Sequence, residues 1–500
     1  MQTVPFRYWF WWLPSTFDTY RADMADVMQV AKNIYAPLVS TFMDSEPQGM
    51  IAQDWRVDKT GRIWRFKIKS GLTFDDGVPI TSDVVLKNFK RMLWLTREEG
   101  LILNSLLPEL LEWKSFKDPL KNLYLEGDTL VFRFNRRPLN LFETLSQPIY
   151  GIANPKCFDE QGNWKKPFCS SASGQYKIKE RTEEKIVLES RHIYTATEYA
   201  PEVVEICVPT KNDDNGLKAL LSGRGDLAIE PRFALSKDTV AEIHKSKLQI
   251  VEEPPVRMYF AQLNHNRSPF NNKTLRQSIR DMFLNLLRKN PKFSAEKIKV
   301  DASFIPQGGI GYLPFHISEK PVIEKSQGET AEVIFFPLAR YPFPRDRKIQ
   351  EAIEESLLGA LKTHGIKPNI TRYNDRTEAL RRLRAGDFDA ILRFSGILVN
   401  DPYADLRMMF MSKLGALIPD PSGVIPGLIE QAEANDNPFE RQKIVKKINE
   451  TIFEQAAVVT YTHSGRAYIH SQGIDISRFN LFSDPIEFRA ISWRPTRSKN

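Results

Sequence analysis

"RIWRFKIKSGLTFDDGVPITSDVV", Arg62 to Val85, is the stretch from which the fold can be read. Ile63, Arg65, Lys67 and Lys69 alternate with Trp64, Phe66, Ile68 and Ser70, the two-residue period of a half-buried strand. Asp76-Gly77 then supplies residues that tolerate positive φ, so a turn is expected. Thr81 or Ser82, ahead of "DVVLKNFKRML", can cap a helix by accepting hydrogen bonds from its free N–H groups. Two adjacent aspartates, Asp75 and Asp76, raise the question of chemistry. Their types match turn formation and no His or Cys lies nearby, so both are read as structural.

Five hundred residues exceed a single hydrophobic core, and two or three domains are expected. An apolar content of 42% and a charged content of 26% are those of an ordinary folded chain. The net charge of +8 is spread along the sequence without a basic block, which argues against a nucleic-acid partner. "FRYWFWWLP", Phe6 to Pro14, is the longest apolar run, and it falls short of the roughly 20 residues that span a bilayer. It lacks the basic leader and small-residue cleavage site of a secretory signal, and no cysteine stands at the start for a lipid anchor. For an exported protein, the expectation is that the signal has been removed from this sequence. Strand alternation in the run sends Phe6, Tyr8, Phe10 and Trp12 to one face and Trp9 and Trp11 to the other, one face packing a core and the other open to stacking on a ligand.

Among the three cysteines, Cys157 and Cys169 flank "FDEQGNWKKPF", a loop whose spacing permits a disulfide without fixing one. Cys207, in "EVVEICVPT", reads as a buried free thiol in an apolar strand. Further strands are expected in 128–136, in a hairpin over 174–191, and in a helix-strand pair over 216–230. The later half alternates a helix over 271–290, with Leu275, Ile279, Phe283 and Leu286 on one face, with "AEVIFFP", a helix ended at Gly365, "KPNITRYN", and "RTEALRRLRAGDFDAILRF". Two more helices follow, separated at Asn435 to Pro438. This order is that of an α/β protein with helix-covered sheets. No GxSxG elbow, HExxH, P-loop or CxxC is present, and the seven histidines form no ligand cluster. "QGGIGYLP" lacks the spacing of a dinucleotide site, and Arg224-Gly225-Asp226 reads as the connector between a helix and a strand. Neither catalysis, nor a metal, nor a cofactor is expected.

"NIYAPLV" (Asn33 to Val39), Ile51 to Val85, "GQYKI" (Gly174 to Ile178) and "ALLSGRGDLAI" (Ala219 to Ile229) together closely resemble the family-5 extracellular solute-binding proteins, the oligopeptide, dipeptide and nickel receptors of ATP-driven importers. "LNHNRSPFNNKTLRQSI" (Leu263 to Ile279), "LRAGDFDAIL" (Leu383 to Leu392) and "NDPYADL" (Asn400 to Leu406) extend the resemblance over nearly the whole chain. It implies a two-lobed periplasmic-binding-protein fold of type II with an extra inserted domain and a hinge of two or three crossing strands. The first lobe is expected in 1–32, 151–258 and 473–500, the inserted α/β domain in 33–150, and the second lobe in 259–472. The implied function is a monomeric receptor in the periplasm or extracellular envelope that captures a small solute or short peptide by hinge closure and hands it to a membrane permease. Receptors for an oligosaccharide, an opine-like compound or a metal chelate, and ligand-sensing modules of regulatory systems, share the fold and stand as alternatives.

By the same resemblance, ligand-pairing segments fall at Asp23, Met24 and Ala25, counted from "FDT" (Phe17 to Thr19), and at Phe394, Ser395 and Gly396, with Trp12, Thr462 and His463 as further wall residues. Two such strands hold an extended peptide by main-chain hydrogen bonds. Leu398 stands four residues before Pro402, where peptide-binding members place the aspartate that pairs with a free α-amine. A buried ammonium without that partner is costly, so Asp23 or Asp401 takes over the role or the ligand carries no cation there. One histidine, His463, is too few for a nickel site and reads as a hydrogen-bonded wall residue.

Overall fold

A computed structural model of the chain describes residues 4–21, 25–42, 46–97, 99, 101–209, 216–231, 235–296, 298–335, 347–373, 376–396, 402–411, 418–479 and 485–494. The chain separates into two compact units. One comprises Met1–Ile229, Ser246–Ile250 and Tyr468–Asn500, the other Glu230–Lys245 and Val251–Ala467. Strands in chain order begin with β1 (Phe6–Trp9), β2 (Val39–Ser40), β3 (Gln48–Gly49), β4 (Ala52–Val57), β5 (Ile63–Ile68), β6 (Leu123–Glu126) and β7 (Thr129–Arg133). They continue with β8 (Tyr176–Arg181), β9 (Lys185–Ser190), β10 (Val203–Cys207), β11 (Leu227–Pro231) and β12 (Gln249–Glu252). After these come β13 (Arg257–Leu263), β14 (Thr330–Phe335), β15 (Lys367–Arg372), β16 (Ala390–Gly396), β17 (Val458–Ser464), β18 (Arg466–His470), β19 (Ile474–Asp475) and β20 (Ser492–Trp493).

A seven-stranded sheet runs in the order β12-β18-β11-β1-β10-β9-β8. Within it β1 pairs in parallel with both β10 and β11, and Phe6 and Tyr8 are fully buried. Three of its strands, β11, β12 and β18, are those inside which the chain passes from one unit to the other. The first unit also holds the antiparallel sheet β4-β5-β7-β6, covered by helix α2 (Ser82–Leu95). Phe66 and Ile68 of β5 are buried while Lys67 is exposed, as strand alternation requires. Phe132 of β7 joins them to the helix, with ring centroids 6.0 Å from Phe66 and 5.3 Å from Phe89. Thr81 caps α2 by accepting the Val84 N–H at 3.3 Å.

Both aspartates of the opening stretch hold chain to chain. Asp75 exchanges two hydrogen bonds with Ala172, its N–H donating to the Ala172 carbonyl at 3.0 Å and its carboxylate accepting the Ala172 N–H at 2.7 Å. Asp76 accepts from the Asn154 amide at 3.2 Å and from the Lys156 ammonium. Gly77 adopts φ +83° in the turn, where an L side chain is strained.

In the second unit the sheet order is β15-β14-β16-β13-β17. Strand β14 pairs in parallel with β15 and β16, and β13 runs antiparallel between β16 and β17. Helix Lys273–Lys289, capped by the Asn272 side chain on the Leu275 N–H, buries Leu275, Ile279 and Phe283 against this sheet, with Leu286 partly buried beside them. Helix Arg347–Thr363 adds Ile353, Leu357 and Leu361 to the same core.

Candidate functional site

β13 aligns the second-unit candidates in rows. Tyr259 lies between Phe394 of β16 and Thr462 of β17, Met258 between Ser395 and His463, and Arg257 between Gly396 and Ser464. The structure thus brings Phe394, Ser395, Gly396, Thr462 and His463 to one level of one sheet, although nearly 70 residues separate the two groups in sequence. A register shift between Tyr259 and Phe260 adds one residue to β17 at this level and re-aims its side chains.

Among the described residues, strand β14 accompanies β16 only at Ala390 and Ile391, whereas β13 runs beside it to Gly396. From Leu392 to Gly396 the side of β16 turned away from β13 has no strand partner among the described residues. An unpaired edge of this kind presents a row of backbone donors and acceptors. Phe394 is 37% exposed and lies 5.8 Å from the buried Tyr259 ring, and Ser395 is half-buried.

Behind the edge the sheet is polar and closed. Arg393 is half-buried, donates to the Gln262 side chain at 2.6 Å, and has its guanidinium pulled down to about 10 by desolvation. Thr462 is buried, with its hydroxyl committed to the Lys299 carbonyl at 2.8 Å. The His463 side chain is 5% exposed, with its Nδ1 3.8 Å from an Asp301 oxygen that also accepts the Tyr312 hydroxyl at 3.1 Å. Burial pulls the imidazole below its ordinary value, and the Asp301 charge opposes that only in part. Its Nε2 has no hydrogen-bond partner among the described residues. His463 is therefore a neutral ring inside the wall, and the described residues contain no cluster of His, Cys, Asp or Glu able to hold a metal ion.

In the first unit, β1 ends at Trp9, and the expected alternation holds through Phe10 but fails at Trp11. Phe10 stacks on Tyr8 at 5.7 Å, as same-face neighbours do, and also on its sequence neighbour Trp11 at 5.2 Å, which an extended strand forbids. Trp11 is tied by its indole N–H to the Ile229 carbonyl at 3.1 Å, and half-buried Trp12 lies edge-on to it at 5.9 Å. Ala25 is the first residue of helix α1 (Ala25–Ile34) and half-buried. Asp23, Met24, Leu398 and Asp401 lie outside the described residues. The sulfurs of Cys157 and Cys169 are bonded, with Cα atoms 5.5 Å apart. Cys207 is free and half-buried on β10, and burial beside Glu205 pushes its thiol up to about 12. The Arg224–Asp226 tripeptide is structural: Asp226 and Arg7 exchange two hydrogen bonds, at 2.9 and 2.8 Å.

Sequence reading did not single out Tyr259, Met258, Gln262, Arg393 or Asp301. The run "PPVRMYFAQL", apolar and β-rich after two prolines, carried the signal for β13, but strand pairing alone shows which residues stand beside it.

Among the described residues, the second sheet of this α/β fold leaves one edge of β16 without a strand partner from Leu392 to Gly396, a geometry able to pair with an extended chain. Residues 46–415 match the model of bacterial extracellular solute-binding proteins, family 5 middle region, and the chain belongs to that family. It is 21% identical over 431 residues to the probable D,D-dipeptide-binding periplasmic protein DdpA of Escherichia coli K12, covering 83% of this chain and 79% of that one. The periplasmic binding protein DppA of Helicobacter pylori, solved with the peptide STSA, superposes with a TM-score of 0.76 at 16% identity and 98% coverage of both chains. AgaA of A. tumefaciens R10, solved with agropinic acid, superposes with a TM-score of 0.77 at 15% identity and 99% coverage of both. The fold is thus the two-lobed one of periplasmic binding proteins.

Proposed function

We propose that the chain is the solute receptor of an ATP-driven importer, that its ligand is a short peptide, and that it acts outside the cytoplasmic membrane, as a monomer and without catalysis. The edge of β16 at Phe394–Gly396, without a second strand partner among the described residues, carries this reading. An extended peptide added to that edge is read by its main chain and tolerates varied side chains, the economical solution for a receptor of many sequences. Ala25 and its neighbours Asp23 and Met24 supply the second ligand-pairing segment, Trp12 a stacking surface, and Phe394 an aromatic wall. Domain limits of 33–150 for the inserted domain and 259–472 for the second lobe go with this reading. Hinge closure is the capture step, and it requires contacts made only in the closed form, because equal affinity for both forms shifts nothing. No helix among the described residues is long and apolar enough to cross a membrane. An opine-like solute is the second reading, favoured by Leu398 in place of the amine-pairing aspartate and by the agropinic acid bound to AgaA.

Native mass spectrometry of the purified protein, before and after mild denaturation, tests the proposal. A ladder of peptide masses released from the protein supports it, and a single non-peptide mass replaces it with the second reading. Phe394→Ala is expected to weaken binding of the released solute about tenfold with little change in melting temperature, since the ring is partly exposed.

A further inference from the structure

Residues 16–19, ahead of helix α1, are held by the disulfide-closed loop. Pro167, inside the Cys157–Cys169 loop, accepts the Phe17 N–H at 2.7 Å and the Thr16 hydroxyl at 2.9 Å through one carbonyl. Phe168, next in the loop, packs edge-on against Phe17 at 5.3 Å and carries the Arg181 guanidinium over its ring at 3.6 Å. Arg91 of α2 completes the attachment. Its Nε donates to the Gly162 carbonyl of the same loop at 2.7 Å, and its two terminal nitrogens reach Asp18 at 2.7 Å and the Thr19 hydroxyl at 3.3 Å. The guanidinium is almost fully buried, 5.1 Å from the Phe158 ring and 5.0 Å from the Trp164 ring, both also in the loop. Residues 16–19 are thereby bound to the loop at four hydrogen-bonded points, directly or through Arg91.

Helix α1 is fixed from its other end. Gln29 and Asn33 each donate to the Ile486 carbonyl, at 2.9 and 2.8 Å, and Lys32 pairs with Glu487 at 2.9 Å. Residues 16–19 and helix α1 are thus held by separate anchors, the loop and the C-terminal segment.

We infer that the Cys157–Cys169 loop, through Arg91, is a positioning element for the N-terminal ligand segment, and that reducing the disulfide releases residues 16–21 and weakens solute binding while leaving the fold intact. The inference rests on the proposed role of Ala25. A dithiol supplies the two electrons and two protons: the Cys157–Cys169 bond breaks to two thiols as the dithiol closes to a cyclic disulfide.

Hydrogen–deuterium exchange on the full chain tests this in three forms: oxidised, dithiol-reduced, and the double variant Cys157→Ser, Cys169→Ser. Arg91→Met, with the disulfide kept, is the fourth sample. Exchange over 16–21 is expected to rise at least tenfold in the reduced form and in both variants, with β5 and β13 unchanged. Ser-Thr-Ser-Ala is the binding probe, and its affinity is expected to fall at least tenfold on reduction. Unchanged exchange over 16–21, or a rise spread equally over β5, overturns the positioning role. Equal affinity in oxidised and reduced forms despite faster local exchange overturns the link to binding. A probe that binds no form counts against the peptide reading, and the exchange result then decides the loop's role alone.

Discussion

Glu487→Gln is the most informative single change to the first unit. Both oxygens of the buried Glu487 carboxylate are engaged: one meets the Lys32 ammonium at 2.9 Å and the Ser40 hydroxyl at 2.8 Å, the other the Arg489 guanidinium at 2.7 Å. Burial by itself pushes the carboxyl up, but Lys32 and Arg489 outweigh it and hold it down at about 2, from an ordinary 4.5. A carboxyl held about 2.5 below its unfolded value contributes about 3 kcal/mol, at about 1.4 kcal/mol for each pH unit. Because the folded value lies below the unfolded one, that contribution is complete above about pH 4.5 and is lost as the pH falls toward 2. Glutamine keeps the shape and strands two buried cations, a defect of about 3–5 kcal/mol by analogy with broken buried pairs. The two routes agree. For a unit of this size, about 3 kcal/mol lowers the melting temperature by about 6–10 °C. Calorimetry at pH 7 and pH 3 on the native protein and the variant reads both quantities. A difference that is large at pH 7 and shrinks at pH 3 is expected; a shift below about 2 °C at pH 7, or one independent of pH, refutes the reasoning.

Thr81→Ala removes the cap of α2 and is expected to cost about 1 kcal/mol, read as a lower urea midpoint with an unchanged slope. Gly465→Ala places a Cβ 2.1 Å from the Glu253 carbonyl oxygen and 2.7 Å from the Pro254 carbonyl oxygen, both backbone atoms, beside the buried Glu253–Arg466 pair. Its expected cost exceeds about 4 kcal/mol, seen as loss of soluble protein or of the second unit's melting transition. His463→Gln removes a ring whose folded pKa is held below the unfolded value by burial, against the pull of Asp301. The native protein should therefore lose stability as the pH falls through about 6.5, and the variant should lose less between pH 7 and 5, as followed by thermal melting.

Local structure was legible because it depends on neighbours in the chain. The alternation in β5, the Thr81 cap, the turn at Gly77 and the helix ended at Gly365 each follow from a few consecutive residues, and the structure places each where the pattern put it. The N-terminal aromatic run shows where such reasoning stops. Alternation predicted Trp12 on the face of Phe6, yet the strand ends at Trp9, where its parallel partners also end their pairing, and a strand persists only while neighbours satisfy its backbone.

The sequence by itself determined the succession of strands and helices, the α/β class, the family, and the two cysteines able to close a loop. Tertiary structure decided what those elements do together. Only pairing across β13 sets Phe394 and Thr462 beside Tyr259, and only the sheet order shows that β16 beyond Ile391 has β13 as its one strand partner among the described residues. Only packing turns His463 into a neutral wall residue and joins Arg91 to a loop some seventy residues away. Periodicity records which face of an element is apolar; it holds no record of which element that face will meet, and a binding edge exists only where such a meeting stops short.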